Sequence, residues 1–143
     1  MNLQEQFDDA MFDFSRGELD SAIAKLRAIL AADPAHFEAQ LALGMAYFRK
    51  GDYAAALEEG HKAERLRPDD QLVHTNLSLF YLKAGDKTRA EHYGLQSRIA
   101  GWRAEARAAR AAQNTTATPA PASAPKPSVQ FPEMPWKKKK TEA

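Results

Sequence analysis

The sequence predicts an all-α solenoid, and three observations carry the prediction. A short pattern returns every 34 residues: Gly17, Gly51 and Gly85 are in register, so are Ala22, Ala56 and Ala90, Pro34 is matched by Pro68, and Tyr47 by Tyr81. Two of the glycines are followed at once by aspartate, at Gly51-Asp52 and Gly85-Asp86. Such a pair reads as a helix stop and the next N-cap, because glycine takes the left-handed conformation without steric cost and the carboxylate accepts from free N–H groups. At the alternate junctions stand Asp33-Pro34 and Arg67-Pro68, where the residue before proline is pushed out of the helical region. Units of this length cannot bury their own apolar faces, so they stack. Solenoids built this way mostly bind other proteins.

The punctuation places six helices, at about 2–15, 19–32, 36–50, 53–66, 70–84 and 87–100, with ends good to about two to four residues. The first closes at Gly17, and the second runs from there to Asp33-Pro34. The third ends at Gly51, and Asp52 caps the fourth, which stops at Arg67-Pro68. Asp69 and Asp70 precede the fifth, where carboxylates suit the positive end of the helix dipole; Gly85 closes it and Asp86 opens the sixth. Gly44 and Ala56 fall where two helices have to cross closely. Gly60 and Gly94 lie inside helices, each at a cost of about 1 kcal/mol relative to alanine, which close packing would offset. From Trp102 to Gln113 the chain is Ala- and Arg-rich, with Trp102, Ala106 and Ala109 on one helical face and Arg103, Arg107 and Arg110 on another. That pattern predicts a separate capping helix at about 101–113, anchored by Trp102, since solenoid ends require a polar outer surface. An arginine stripe for phosphates is the rival reading.

The period and its anchor residues resemble the tetratricopeptide repeat, a helix-turn-helix unit of about 34 residues written W-x2-L-G-x2-Y, then A-x3-F, then P. The middle unit fits best, with Leu43-Gly44, Tyr47, Gly51, Tyr53, Ala56, Ala63 and Pro68; Gln40 stands at the Trp position and Gly60 at the Phe position. The third unit keeps Leu77, Tyr81, Gly85 and Ala90 but has Ser78 for Gly and ends in Trp102 instead of Pro. The first departs in its leading helix, with Asp9-Ala10 and Asp13, and recovers at Gly17, Ala22, Leu26 and Pro34. The resemblance implies a right-handed solenoid of three units, about 3–36, 37–70 and 71–104, in a domain spanning 1–113.

In that family the first helix of each unit lines a concave groove. Carried over by position, the groove residues are Phe7, Met11 and Phe14 in unit one, Leu41, Met45 and Phe48 in unit two, and Leu72, Thr75, Asn76, Leu79, Leu82 and Lys83 in unit three. The i, i+4, i+7 spacing in the first two units puts them on one face, and the groove is expected to be apolar. The bland alternative is that these are core positions. One subgroup of the family grips the C-terminal carboxylate of chaperone tails with Lys, Asn and Arg. The matching positions here are Phe7, Met11, Ala42, Leu72 and Asn76, and only Asn76 has that chemistry.

Composition bounds the function further. The chain has no cysteine, which removes disulfides, thiolate ligands and a cysteine nucleophile. The start, MNLQEQFDDAMFDF, is acidic and lacks the basic and apolar regions of a signal peptide, and no run of about 18 apolar residues occurs; a soluble cytoplasmic protein is the expectation. His36, His61, His74 and His92 do not form a metal-ligand spacing, and neither HExxH nor a glycine-rich phosphate loop is present. His61 with Glu58 or Glu64 reads as a surface polar contact. No catalytic residue, metal or cofactor is expected.

Residues 1–100 hold 12 Lys or Arg against 16 Asp or Glu, whereas 101–143 hold 8 against 3, so an acidic body precedes a basic tail. Residues 114–143 read as a disordered Pro/Ala-rich linker ending in an apolar and basic motif: Phe131, Met134 and Trp136, then Lys137, Lys138, Lys139 and Lys140. The functional reading is a non-catalytic interaction module, an adaptor or chaperone-like scaffold that holds an extended or amphipathic protein segment in its groove. Residues 129–136 are a candidate ligand for that groove, in the same molecule or a neighbour. A reading from another class is a tether whose lysine tail engages nucleic acid or an anionic membrane while the repeats recruit a partner. The sequence leaves oligomeric state and partner identity open.

Overall fold

The computed structural model of the chain describes residues 1–115. Within them lie six helices, α1 (Leu3–Ser15), α2 (Leu19–Ala32), α3 (Phe37–Lys50), α4 (Tyr53–Leu66), α5 (Gln71–Ala84) and α6 (Lys87–Thr115). Residues 1–108 form one compact unit, and a second begins at Ala109. In the first unit α1 to α5 each pack on the next, α6 is hydrogen-bonded to α5, and α1, α3 and α5 lie side by side as its inner layer. The tail motif expected at 129–140, and the linker before it, lie outside the described residues.

The 34-residue period reports one repeated device. Gly17, Gly51 and Gly85 have φ of 79°, 89° and 91°, in the left-handed region where a side chain is strained. At each, two N–H groups bond back into the helix just ended. Gly51 N–H donates to Phe48 O and Asp52 N–H to Tyr47 O, both at 3.0 Å; Gly17 with Glu18, and Gly85 with Asp86, repeat the pair. These are Schellman motifs, which satisfy carbonyls the helix end leaves free. The following caps are also as expected at two junctions, where Asp52 Oδ1 accepts from Ala55 N–H and Asp86 Oδ1 from Arg89 N–H, both at 3.1 Å. The cap of α3 is instead His36, whose Nδ1 accepts from Ala39 N–H at 3.1 Å.

The core fills the space between the layers. Leu26, Ile29, Leu43, Leu77 and Phe80 are fully or almost fully buried, and alanines at 10, 22, 39, 46, 56 and 63 have no exposed surface. Small residues let the helices approach. A Cβ on Gly44 would lie 3.7 Å from Ala56 O, and one on Gly60 would lie 2.7 Å from Leu77 Cδ2. The seam between α5 and α6 is more polar. Thr75 and Ser97 hydroxyls bond at 2.6 Å, and Ser78 Oγ donates to Ala90 O at 2.7 Å.

One expectation about the end of the stack is corrected. No break separates α6 from the segment predicted as a capping helix at about 101–113; α6 continues through it. Trp102 is 63% exposed, not the buried anchor expected. The physical reason is that this junction lacks both Asp and Pro, and Ala and Arg are strong helix formers, so nothing stops propagation past Gly101.

Candidate functional site

The inner faces of α1, α3 and α5 enclose a groove of about 280 Å³. Six of the residues named from the sequence line it: Phe7, Met11 and Phe14 from α1, Leu41 and Met45 from α3, and Asn76 from α5. Ala42, Glu38 and Arg49 complete the lining, and the Arg49 guanidinium sits 4.6 Å over the Phe14 ring. Phe7, Met11, Phe14 and Met45 are only partly buried, with one side against the core and the other on the groove.

The other named residues divide for reasons that lie in tertiary contact. Phe48 stacks on Phe80 with ring centroids 5.2 Å apart and meets Tyr53 at 5.6 Å; it is partly buried against the core and outside the groove lining, and Leu79 packs against the same cluster. Thr75 spends its hydroxyl on Ser97 and Gln71 O. Leu82 lines a separate cavity of about 330 Å³ between α5 and α6. Leu72 is 60% exposed and Lys83 is exposed, both outside the groove lining. The third unit therefore contributes Asn76 alone to it.

A second and larger cavity, about 490 Å³, opens between α2, α3 and α4. Its apolar lining is Leu30, Leu43 and Leu66, with Pro34 from the α2–α3 turn. Gln40 and Glu59, 4% and 8% exposed, also line it. The Gln40 amide donates to Glu59 O at 3.1 Å and to the Glu59 carboxylate, which Lys62 Nζ approaches at 3.2 Å. Arg27 and Arg65 complete the cationic lining.

Two polar clusters fix the repeats without forming a site. Asp13, buried, accepts from Ser21 Oγ at 2.7 Å and from Lys25 Nζ at 2.6 Å, and Lys25 also reaches Asp9 at 2.9 Å. Those bonds from Lys25 and Ser21 hold the Asp13 carboxyl below the usual carboxylate range and, reciprocally, raise the Lys25 ammonium. Asp13 stands where the repeat pattern has Tyr, and the clamp to α2 replaces the ring. Farther along, His61 lies 3.1 Å from Glu64 Oε1 through Nδ1 and 2.6 Å from the Tyr81 phenol Oη through Nε2. An Nδ1–H donating to Glu64 and an Nε2 accepting the Tyr81 O–H satisfies both bonds. Tyr81 stacks on Tyr93 with centroids 5.6 Å apart, and burial pushes the Tyr93 phenol up to about 12. His61 is thus more than a surface contact: its Tyr81 bond ties α4 to α5. Among the described residues no group of three His, Cys, Asp or Glu is placed to hold a metal ion, and no helix is long and apolar enough to cross a membrane.

Comparison with known proteins adds the family. Residues 13–71 match the family model described as tetratricopeptide repeat. This stretch belongs to the tetratricopeptide repeat family. Human Superkiller complex protein 3 is 37% identical over 59 residues, which are 41% of this chain and 4% of that protein, so the chain spans a small part of the curated relative it matches. The type III secretion translocator chaperone SycD of Yersinia enterocolitica superposes with a TM-score of 0.67 at 16% identity, over 68% of this chain and 74% of its own. The second tetratricopeptide domain of Spaghetti (RPAP3), bound to the HSP90 peptide SRMEEVD, gives 0.66 at 18% identity, over 69% of this chain and 92% of its own. At these identities the likeness is one of fold. Against the tetratricopeptide pattern, the Phe position at Gly60 is filled by Leu77 and Phe80 from the next unit, whose side chains lie 2.7 and 3.4 Å from where a Cβ would be. At the Trp position Gln40 is buried and bonded to Glu59, beside the 490 Å³ cavity.

Proposed function

We propose that the chain is a non-catalytic interaction module, an adaptor or chaperone-like scaffold, which holds an extended or amphipathic segment of another protein in the groove of α1, α3 and α5. The observation that carries this reading is the apolar lining: Phe7, Met11, Leu41 and Met45 face one space from two repeats. Captured apolar side chains leave water there, at about 25 cal/mol per Å² buried. Two methionines let the same groove adapt to different shapes, and binding an amphipathic helix or an extended strand of side chains into such a groove is a recurrent mode of peptide recognition. The likeness to a secretion chaperone and to a peptide-bound repeat domain supports the reading.

The mode differs from carboxylate capture. At the positions where that subgroup places Lys, Asn and Arg, this chain has Phe7, Met11, Ala42, Leu72 and Asn76, which offer no cation to a terminal carboxylate. Selection from a displayed library of random peptides tests the proposal. Enriched sequences should carry two or more apolar residues at helical or alternate spacing. The Leu41→Gln/Met45→Gln variant should lose them while keeping its far-ultraviolet circular dichroism. Peptides enriched only by a shared C-terminal carboxylate, or bound equally by the variant, would show the reading to be wrong.

A further inference from the structure

We infer that the outer cavity between α2, α3 and α4 is a second docking surface, one that takes an acidic segment presenting a single large apolar side chain. The repeat pattern puts Trp at position 40, and this chain has Gln40 there. Gln40 is buried and bonded to Glu59, and beside the pair a cavity of about 490 Å³ remains. Its floor is ready for an apolar group, since Leu30, Leu43 and Leu66 contribute to the lining and Leu66 is 37% exposed. A side chain from a partner would occupy the space that the missing indole would have filled.

Charge names the partner. Residues 1–100 carry an excess of acid, yet this cavity gathers Arg27, Lys62 and Arg65 against the single carboxylate of Glu59. That carboxylate is already engaged by the Gln40 amide and by Lys62. The cations are held in place before any partner arrives: Arg27 lies 5.5 Å over the Tyr47 ring, Arg65 Nε donates to His61 O at 3.4 Å, and Lys62 is fixed by Glu59. Preorganised charges lose little entropy on binding and steer an oppositely charged chain. A basic segment is repelled, which excludes the chain's own Trp136 with the four lysines that follow it.

Fluorescence anisotropy with a labelled heptapeptide, one phenylalanine flanked on each side by three glutamates, tests the inference. Wild type should bind it saturably, and binding should weaken as salt rises. Lys62→Glu/Arg65→Glu should weaken it about tenfold or more. Gln40→Trp, which refills the cavity, should weaken it comparably, and the charge variant keeps the test decisive if that substitution disturbs folding. Leu41→Gln, in the groove of α1, α3 and α5, should leave it unchanged, so loss of this site is separable from loss of the groove. Equal binding of the peptide with lysine in place of glutamate would overturn the inference, as would retention in the charge variant or a loss confined to Leu41→Gln. So would the absence of binding by wild type. Sedimentation of the wild type supplies the last arm. Self-association abolished by Lys62→Glu/Arg65→Glu would make a second copy the occupant and overturn the assignment to an acidic partner.

Discussion

Gly60 faces Leu77 so closely that a methyl group added at Gly60 would lie 2.7 Å from Leu77 Cδ2. Real carbon pairs do not approach that near, and Leu77 is itself fully buried, so it has no free space to withdraw into. The contact joins α4 to α5 and explains why a helix interior tolerates glycine at this point.

Gly60→Ala sets the helix-propensity gain of about 1 kcal/mol against overpacking of about 1–3 kcal/mol. Overpacking wins, because both Leu77 and Phe80 are fixed in the core. Thermal melts should show a net loss of up to about 2 kcal/mol, several degrees for a domain of this size. Gly94→Ala is the comparison. Its new methyl would meet only Ser78 Oγ, at 3.3 Å, and its melting temperature should stay near wild type or rise. Equal effects at the two sites would contradict the packing described between α4 and α5.

The acid limb of stability should run through Asp13. Bonds from Lys25 and Ser21 depress its folded pKa below the ordinary carboxylate value. A depressed carboxyl contributes stability that is present above the unfolded pKa and is lost as pH falls through the folded value. Asp13→Asn should therefore be less stable than wild type near neutral pH, and the gap should narrow below about pH 4 as wild type loses its clamp. Melting both proteins near pH 7 and near pH 2 checks this; a gap that stays constant would place the effect in packing alone.

The alkaline limb should run through Tyr93. Burial raises its phenol from 10.0 to about 12, so the folded state keeps a proton that the unfolded state gives up. Stability is then fully present below about pH 10 and is lost as pH rises towards about 12. The raised Lys25 acts in the same direction, and is common to wild type and to Tyr93→Phe. Tyr93→Phe should therefore flatten the decline between about pH 10 and 12 without abolishing it. Denaturant midpoints across that range are the measurement, and identical slopes would remove Tyr93 from the account.

Much of the chain was legible without coordinates, because the relevant physics is local. Five of the six helices begin and end within a residue of their expected positions, since each stop is a glycine with positive φ or an Xaa-Pro step, and most starts are capped by a side chain two or three residues away. The apolar groove was legible in part, because Phe7, Met11, Phe14, Leu41 and Met45 share helical faces whatever surrounds them. Tertiary structure alone decided the rest. Phe48 and Met45 share one face of α3, and only the arrival of Phe80, 32 residues on, engages the Phe48 ring and leaves Met45 to line the groove. Asp13 reads as a defect in the repeat until α2 brings Ser21 and Lys25 to it, and His61 reads as a surface residue until α5 delivers Tyr81. Gln40 and Gly60 both depart from the pattern by losing a large ring. Side chains from α5 pack where one ring is missing, whereas at the other Gln40 bonds Glu59 from α4 beside a cavity, a difference that depends on packing between helices and leaves no mark on local sequence.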